Sequence, residues 1–346
     1  MRAALYEAFE GPITVQELPD PAPAPDAAIV RVEAAGISRS DWQGWMGRCP
    51  VIRPPHIPGH EAAGVVEAVG TRVTDWFPGD RVTVPFAGGC GRCLQCRQGY
   101  HQVCDQPFQL GLTHWGAFAE RVAVRCADVN LVRLPQGVDF VTAAVLGGRF
   151  GTAYRAVIAQ GRVAPGEWLA VHGCGGLGLA AIMIANAVGA RVVGIDITKE
   201  SLNKARSVGA RAVIDASKVN DVVQAVRDIT HGGAHLAIDA LGSPATCCNA
   251  IAGLRKRGRH VQVGIMPADQ NHAPIPMERI VANELTLFGG QGMPAHGYDG
   301  MLAMIAAGKL QPAQLVTKRV DLEQGIHALQ SMHRFESVGI TVIDRF

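Results

Sequence analysis

The run Trp168–His172, followed at once by Gly173-Cys174-Gly175-Gly176-Leu177-Gly178, constrains this chain more than any other stretch. A short apolar run, a G-x-G-x-x-G turn and an apolar helix-like run, in that order, predict a strand, a tight loop and a helix of a parallel sheet. Gly173 makes the turn, Gly175 lets the backbone approach a pyrophosphate, and Gly178 lets the helix pack close to the strand. The helix begins at Gly176 and Leu177, where free N–H groups and the positive end of the dipole face the phosphates. A second strand-like run ends at Asp196, eighteen residues past Gly178. A carboxylate there accepts hydrogen bonds from both ribose hydroxyls and repels a 2′-phosphate, so the expected cofactor is NAD(H) rather than NADP(H).

Around this motif the pattern repeats. Strand-like runs at Trp168–His172, Arg191–Ile195, Ala212–Ile214, Leu236–Ile238, His260–Val263 and Leu285–Phe288 alternate with helix-like segments such as Leu177–Val188 and Lys199–Val208. Six short strands with helical crossovers predict a doubly wound parallel sheet. Val263 and Gly264, at the end of one of these runs, join the expected cofactor-binding set. Before residue 150 the texture differs. Short β-type runs at Ile29–Val32, Ala62–Val69 and Arg81–Val84 are punctuated by Pro and Gly, which predicts a separate β-rich domain. Past residue 291 the regularity fades, apart from a helix expected at Tyr298–Ala307. A length of 346 residues suits two domains.

The net charge of +2 and an aromatic content of 5% give no reason to expect nucleic acid or an anionic membrane surface as partner. The opening residues carry an early Glu7 and no apolar run, so no secretory signal is expected and a cytoplasmic location is. In a reducing compartment the nine cysteines are expected as thiols or metal ligands. Cys90, Cys93, Cys96 and Cys104 lie in a polar, Gly-rich loop at a spacing that lets four thiolates surround one tetrahedral Zn²⁺. An iron–sulfur cluster would use similar ligands, and four free thiols are a third possibility. Zinc is preferred because nothing else points to electron transfer. With no open coordination position evident, the expected site is structural. Cys174 is read as filling space in the glycine loop, and His56 as a loop residue.

Taken in order, GISRSDW at 36–42, GHEAAGVV at 59–66, GDRV at 79–82, the four-cysteine lobe, GGRFGTAYRAV at 147–157 and the glycine loop with Asp196 resemble the zinc-dependent medium-chain alcohol dehydrogenases. The resemblance covers essentially the whole chain. It implies a GroES-like catalytic domain over residues 1–148, with a structural zinc lobe at 88–106, completed by 291–346. It also implies a Rossmann NAD-binding domain over 149–290. An active site between the two domains, reversible hydride transfer between an alcohol and a carbonyl, and a homodimer or homotetramer paired through the Rossmann sheet edge are implied as well. Thr152 matches a residue placed near the nicotinamide.

Members of this family hold a catalytic zinc with a cysteine in the first stretch, the histidine of GHE and a third ligand ahead of the R-F-x-T-A-Y-type stretch. By that correspondence the first position is Ser38, the second His60 and the third Gly148, while Gln43 stands where many relatives carry a histidine. A neutral hydroxyl is a poor Zn²⁺ ligand, and glycine has no side chain. His60 and Glu61 are adjacent, so both could ligate only if the backbone bends. The expectation is therefore one structural zinc and an empty catalytic position. Ser38, Asp41, His60 and Glu61 are the candidate catalytic residues. Ser38 would donate to a developing oxyanion, and His60, oriented by Asp41, would exchange a proton. Arg149 is read as structural. The small-molecule substrate would be a carbonyl, an activated alkene or an imine. The alternatives are a conventional or ligand-deleted zinc alcohol dehydrogenase and a non-catalytic NAD-binding sensor.

Overall fold

A computed structural model describes residues 1–266, 272–334 and 338–346. The chain forms two compact units, Met1–Gly151 with Gly292–Phe346, and Thr152–Gln291.

The second unit is built on a six-stranded sheet, all parallel. Its order is Ala212–Asp215, Arg191–Asp196, Trp168–His172, Ala234–Asp239, Leu254–Gln262, Thr286–Gly289. The order reverses between Trp168–His172 and Ala234–Asp239, and doubly wound folds bind ligands at the carboxyl ends of the strands at such a switch point. Trp168–His172 is buried along its whole length, as a central parallel strand covered on both faces must be. This explains why its sequence runs apolar without alternation. The helix Gly176–Ala187 is likewise buried on most sides, from Gly178 to Ala185. The strand ending at Gln262 begins at Leu254, earlier than expected, because its first half (Arg255, Lys256, Arg257) is exposed and charged and carries no apolar signal.

The first unit contains a seven-stranded, mostly antiparallel sheet. Ala28–Ile37 pairs with Glu61–Val69, with Arg121–Val124 and with Ile340–Arg345. Glu61–Val69 continues to Arg81–Val84. The tail is therefore structural. Val316–Asp321 and Ile340–Arg345 extend the sheet, and the helix Leu322–Gln330 sends Leu322, Ile326 and Leu329 into the same core as Val30, Ile37, Val66 and Phe118. The faded regularity of this segment comes from strands of only six residues that mix apolar, polar and charged side chains without a strict period. His56 lies in the connection between Arg39–Trp45 and Glu61–Val69, as expected of a loop residue, but is not at the surface. It bridges to Tyr6, is almost fully buried, and its Nε2 lies 2.9 Å from the Gly111 carbonyl oxygen.

Candidate active site and cofactor loop

In the first unit, Ser38 caps the short helix Arg39–Trp45, its Oγ accepting from the Ser40 N–H at 3.1 Å. Asp41 closes the capping box by accepting the Ser38 N–H at 2.9 Å. Its other oxygen, Oδ1, accepts the N–H groups of Gly59 and His60 at 3.1 and 3.2 Å and His60 Nδ1–H at 2.9 Å. Gly59 holds φ at +107°, which aims the chain so that both amides meet one carboxylate. Asp41 thus welds the helix to the Gly59-His60 turn and sets the histidine tautomer, with the proton on Nδ1. The other ring nitrogen, Nε2, faces Ser38 Oγ at 3.5 Å, and the Phe86 ring packs edge-on at 5.5 Å.

Burial works against charge at both members of the pair and is overcome at both. For Asp41 the desolvation cost is outweighed by the charge and hydrogen bond of His60 and by the Ser38 N–H, which hold the carboxyl below its usual range. Burial disfavours the His60 imidazolium, yet the Asp41 charge and hydrogen bond, aided by Glu61, raise it above the ordinary histidine value.

Glu61 starts the strand Glu61–Val69 and is completely buried. Its carboxylate is held by Arg149. The Arg149 backbone N–H reaches Oε1 at 2.6 Å, Nε lies 3.0 and 3.1 Å from the two oxygens, and Nη2 reaches Oε2 at 2.5 Å. Two glycines make room for this pair. A Cβ at Gly148 would lie 2.5 Å from Glu61 Oε1, and one at Gly36 would lie 2.2 Å from Oε2. Arg149 is anchored by Glu61, a partner that was not foreseen. The available signal was that Glu61 and Arg149 each stand in an otherwise uncharged run, and charges buried in a core require partners.

Ser38, Asp41, His60 and Glu61 are therefore brought together, with Arg149 beside them and Phe86 as an addition that sequence reasoning missed. As a zinc site the set fits poorly. Ser38 offers a hydroxyl, Gly148 no side chain, and Glu61 is already bonded, which leaves one imidazole nitrogen.

The four-cysteine lobe fits a metal well. The Sγ atoms of Cys90, Cys93, Cys96 and Cys104 all lie within 4.8 Å of one another, with Cys93 and Cys104 3.7 Å apart. Four sulfurs at the usual Zn–S distance of about 2.3 Å would be separated by about 3.8 Å. Backbone N–H groups of Cys90, Cys93, Cys96 and Gln106 point at three of the sulfurs at 3.3–3.5 Å. Burial raises the Cys90 thiol, but the Arg92 and Cys93 N–H groups outweigh it and bring it down to about 6. Cys96 is pushed up to about 12 by burial and by its thiol neighbours. Cys93 is also lowered, by the Asp105 and Cys96 N–H groups, while burial raises Cys104, so a cation would be needed to hold all four as thiolates. Asn130, buried and unforeseen, ties down the base of the lobe. Its side chain accepts the Gly89 N–H at 2.8 Å and donates to the Gly89 and Arg125 carbonyls at 2.9 and 2.8 Å.

In the second unit Gly173 turns with φ +90°, and a Cβ at Gly178 would sit 1.9 Å from the Gly173 carbonyl oxygen, so the close packing of loop on helix requires glycine. A Cβ at Gly175 would meet nothing within 4 Å, and the helix beginning at Gly176 and Leu177 has no side-chain cap. Open space over uncapped N–H groups is a cradle of the kind a pyrophosphate fills. Asp196 stands at the end of its strand as expected. Its Oδ2 accepts the Cys174 N–H at 2.8 Å and its Oδ1 the Ile197 and Thr198 N–H groups at 2.8 and 3.0 Å. Cys174 is fully buried, as a space-filling residue should be. Asp239, unforeseen, organises the next strand end. It accepts from Leu241 N, Gly242 N, Thr246 Oγ1 and Gln262 Nε2, and its carbonyl accepts the N–H groups of Val263 and Gly264. Thr152 is buried on the helix Gly151–Tyr154.

Residues 24–136 match the family profile described as alcohol dehydrogenase GroES-like domain, and residues 176–307 the profile described as zinc-binding dehydrogenase. The chain is 35% identical over 99% of both sequences to an NAD-dependent alcohol dehydrogenase of Sulfurisphaera tokodaii. It is 34% identical, again over 99% of both, to one of Saccharolobus solfataricus. Among solved structures it superposes on the alcohol dehydrogenase TADH from Thermus sp. ATN1 with a TM-score of 0.91, at 34% identity and full coverage of both chains. No helix among the described residues is long and apolar enough to cross a membrane. A Rossmann-type parallel sheet, a GroES-like β domain, a glycine loop with its acid and matches of this extent agree on one conclusion: the chain belongs to the zinc-type medium-chain alcohol dehydrogenase family and is an NAD-dependent oxidoreductase.

Proposed function

We propose that this protein carries out NAD(H)-dependent hydride transfer on a small carbonyl compound, activated alkene or imine without a catalytic zinc, and that its one zinc is structural, held by Cys90, Cys93, Cys96 and Cys104. The observation that carries the reading is the line Asp41–His60–Ser38, joined at 2.9 and 3.5 Å, where relatives would need metal ligands. Bound NAD(H) supplies or accepts the hydride. Gly173, Gly175, Gly176, Leu177 and Gly178 would bind its pyrophosphate, Asp196 its ribose hydroxyls, and Thr152, Val263 and Gly264 its nicotinamide half. Asp41 fixes the proton of His60 on Nδ1 and favours the imidazolium, so Nε2–H can pass a proton toward Ser38 Oγ and a nearby substrate atom. Ser38 Oγ–H is the hydrogen-bond donor for an oxyanion.

The exposed edge strand Thr286–Gly289, with Leu287, Val281 and Met277 exposed beside it, supports pairing of two copies as a dimer or as half of a tetramer. A cytoplasmic location fits the thiol-rich, disulfide-free composition.

Two measurements on the purified chain test the reading: zinc content per chain, and NADH oxidation with ketones, enones and cyclic imines with and without a chelator. One zinc per chain and chelator-insensitive turnover are expected. Two tightly held zinc ions per chain would overturn it.

A further inference from the structure

We infer that the Glu61–Arg149 ion pair stands in for the catalytic metal: it fills the third-ligand position, keeps a divalent cation out, and presents Arg149 as the cationic hydrogen-bond donor to the oxygen of a neutral carbonyl or enone substrate. The inference rests on the metal-free reading above and narrows its substrate class.

Four residues form one arrangement. Glu61 is completely buried and lies between Gly36 and Gly148, either of which would drive a Cβ into its carboxylate oxygens. A ligand side chain at position 148 and the observed Glu61–Arg149 pair are mutually exclusive. Arg149 spends its backbone N–H, Nε and Nη2 on Glu61, while Nη1 makes no hydrogen bond among the described residues. The Arg149 side chain is 13% exposed and that of Glu61 0% exposed, so the arginine is the half of the pair that keeps some accessible surface. Its charge acts on both Asp41 and His60, which places it in the same electrostatic site. A guanidinium donates charge-assisted hydrogen bonds without a coordination shell and keeps its charge at all working pH values. It therefore supplies the positive potential that a developing oxyanion needs. The same charge repels an iminium, which has no oxygen to receive the bond. Zn²⁺ entering beside Arg149 would meet a fixed cation and find one imidazole nitrogen, His60 Nε2, because Nδ1 is bonded to Asp41.

The test combines metal counts with three probes. Wild type and S38C/G148C should each hold one zinc per chain, because Arg149 keeps Glu61 in the space that a thiolate ligand at position 148 needs. S38C/G148C/R149G should hold two. With NADH, wild type should reduce cyclohexanone or 2-cyclohexen-1-one and not 1-pyrroline. Arg149→Met should cut carbonyl turnover by about 100-fold while NADH affinity and the single zinc are kept, and Arg149→Lys should recover part of it. E61Q/R149M, which keeps the volume and removes both charges, guards against misfolding and should show the same loss. Two zinc ions in S38C/G148C, unchanged carbonyl reduction in E61Q/R149M, failure to reduce either carbonyl, or faster turnover of 1-pyrroline would each overturn the inference. Two zinc ions in the wild type would instead overturn the metal-free reading beneath it.

Discussion

The four-cysteine lobe and the Ser38–His60–Arg149 site lie in the same unit but are assembled in opposite ways. The lobe draws its four ligands from a single loop, Cys90 to Cys104, and its geometry is that of a metal site. The other site draws on a helix cap, a turn, a strand start and a helical segment, at residues 36, 38, 41, 60, 61, 148 and 149. It holds two buried pairs of opposite charge character, Asp41–His60 and Glu61–Arg149. Each carboxylate is held by several N–H donors, Asp41 by Ser38, Gly59 and His60 and Glu61 by Arg149. A site confined to one loop can be kept or lost as a block, whereas a dispersed site can be rebuilt residue by residue.

The contrast can be tested by damaging each side in turn. Cys93→Ser should abolish zinc binding and remove on the order of 10 kcal/mol of metal-binding free energy from the lobe. Zinc analysis and limited proteolysis near residues 88–106 should show a metal-free, cleavable loop, while retained zinc would mean the lobe is not a four-thiolate site. Asp41→Ala should be next, at about 3–5 kcal/mol, because it strands three backbone N–H groups and the buried His60. Urea unfolding measures it, and a loss below about 1 kcal/mol would show that Asp41 is not the weld described.

Gly148→Ala should cost about 1–3 kcal/mol by pressing on Glu61, whereas Gly175→Ala, with open space at its Cβ, should leave stability nearly unchanged. Equal melting temperatures for the two variants would refute the packing argument. The smallest effect is the pH dependence of the His60 pair, which faces Asp41, Glu61, Arg149 and Ser38. The folded-state value of His60 is raised, so its contribution is complete below the ordinary histidine value and is lost as pH rises through the folded value. Comparing wild type with His60→Gln by urea unfolding from pH 5 to 9 should show a stability gap that narrows toward high pH. A gap that widens would reverse the sign.

Much of this was legible without coordinates. The glycine loop, Asp196, the cysteine lobe and the six parallel strands are local patterns whose spacing carries their geometry. The Asp41–His60 contact followed from the family resemblance. Arg149 as the partner of Glu61, Asn130 at the base of the lobe and Asp239 under the Val263–Gly264 turn were not legible. Each bonds a group distant along the chain or several backbone groups at once, and no periodicity encodes that. The tail's place in the first unit was implied by the resemblance, but its strands were not legible, because they are short and mix apolar, polar and charged residues.

The amino-acid order by itself determined the nucleotide-binding topology and the four-thiolate lobe, because in both the acting groups are neighbours in the chain and backbone geometry does the rest. Only the tertiary structure decided what packs against Gly148. That depended on two glycines and two opposite charges, eighty-eight residues apart at Glu61 and Arg149, meeting in one buried volume. Burial forces such charges to pair, but which charge finds which partner is set by the fold.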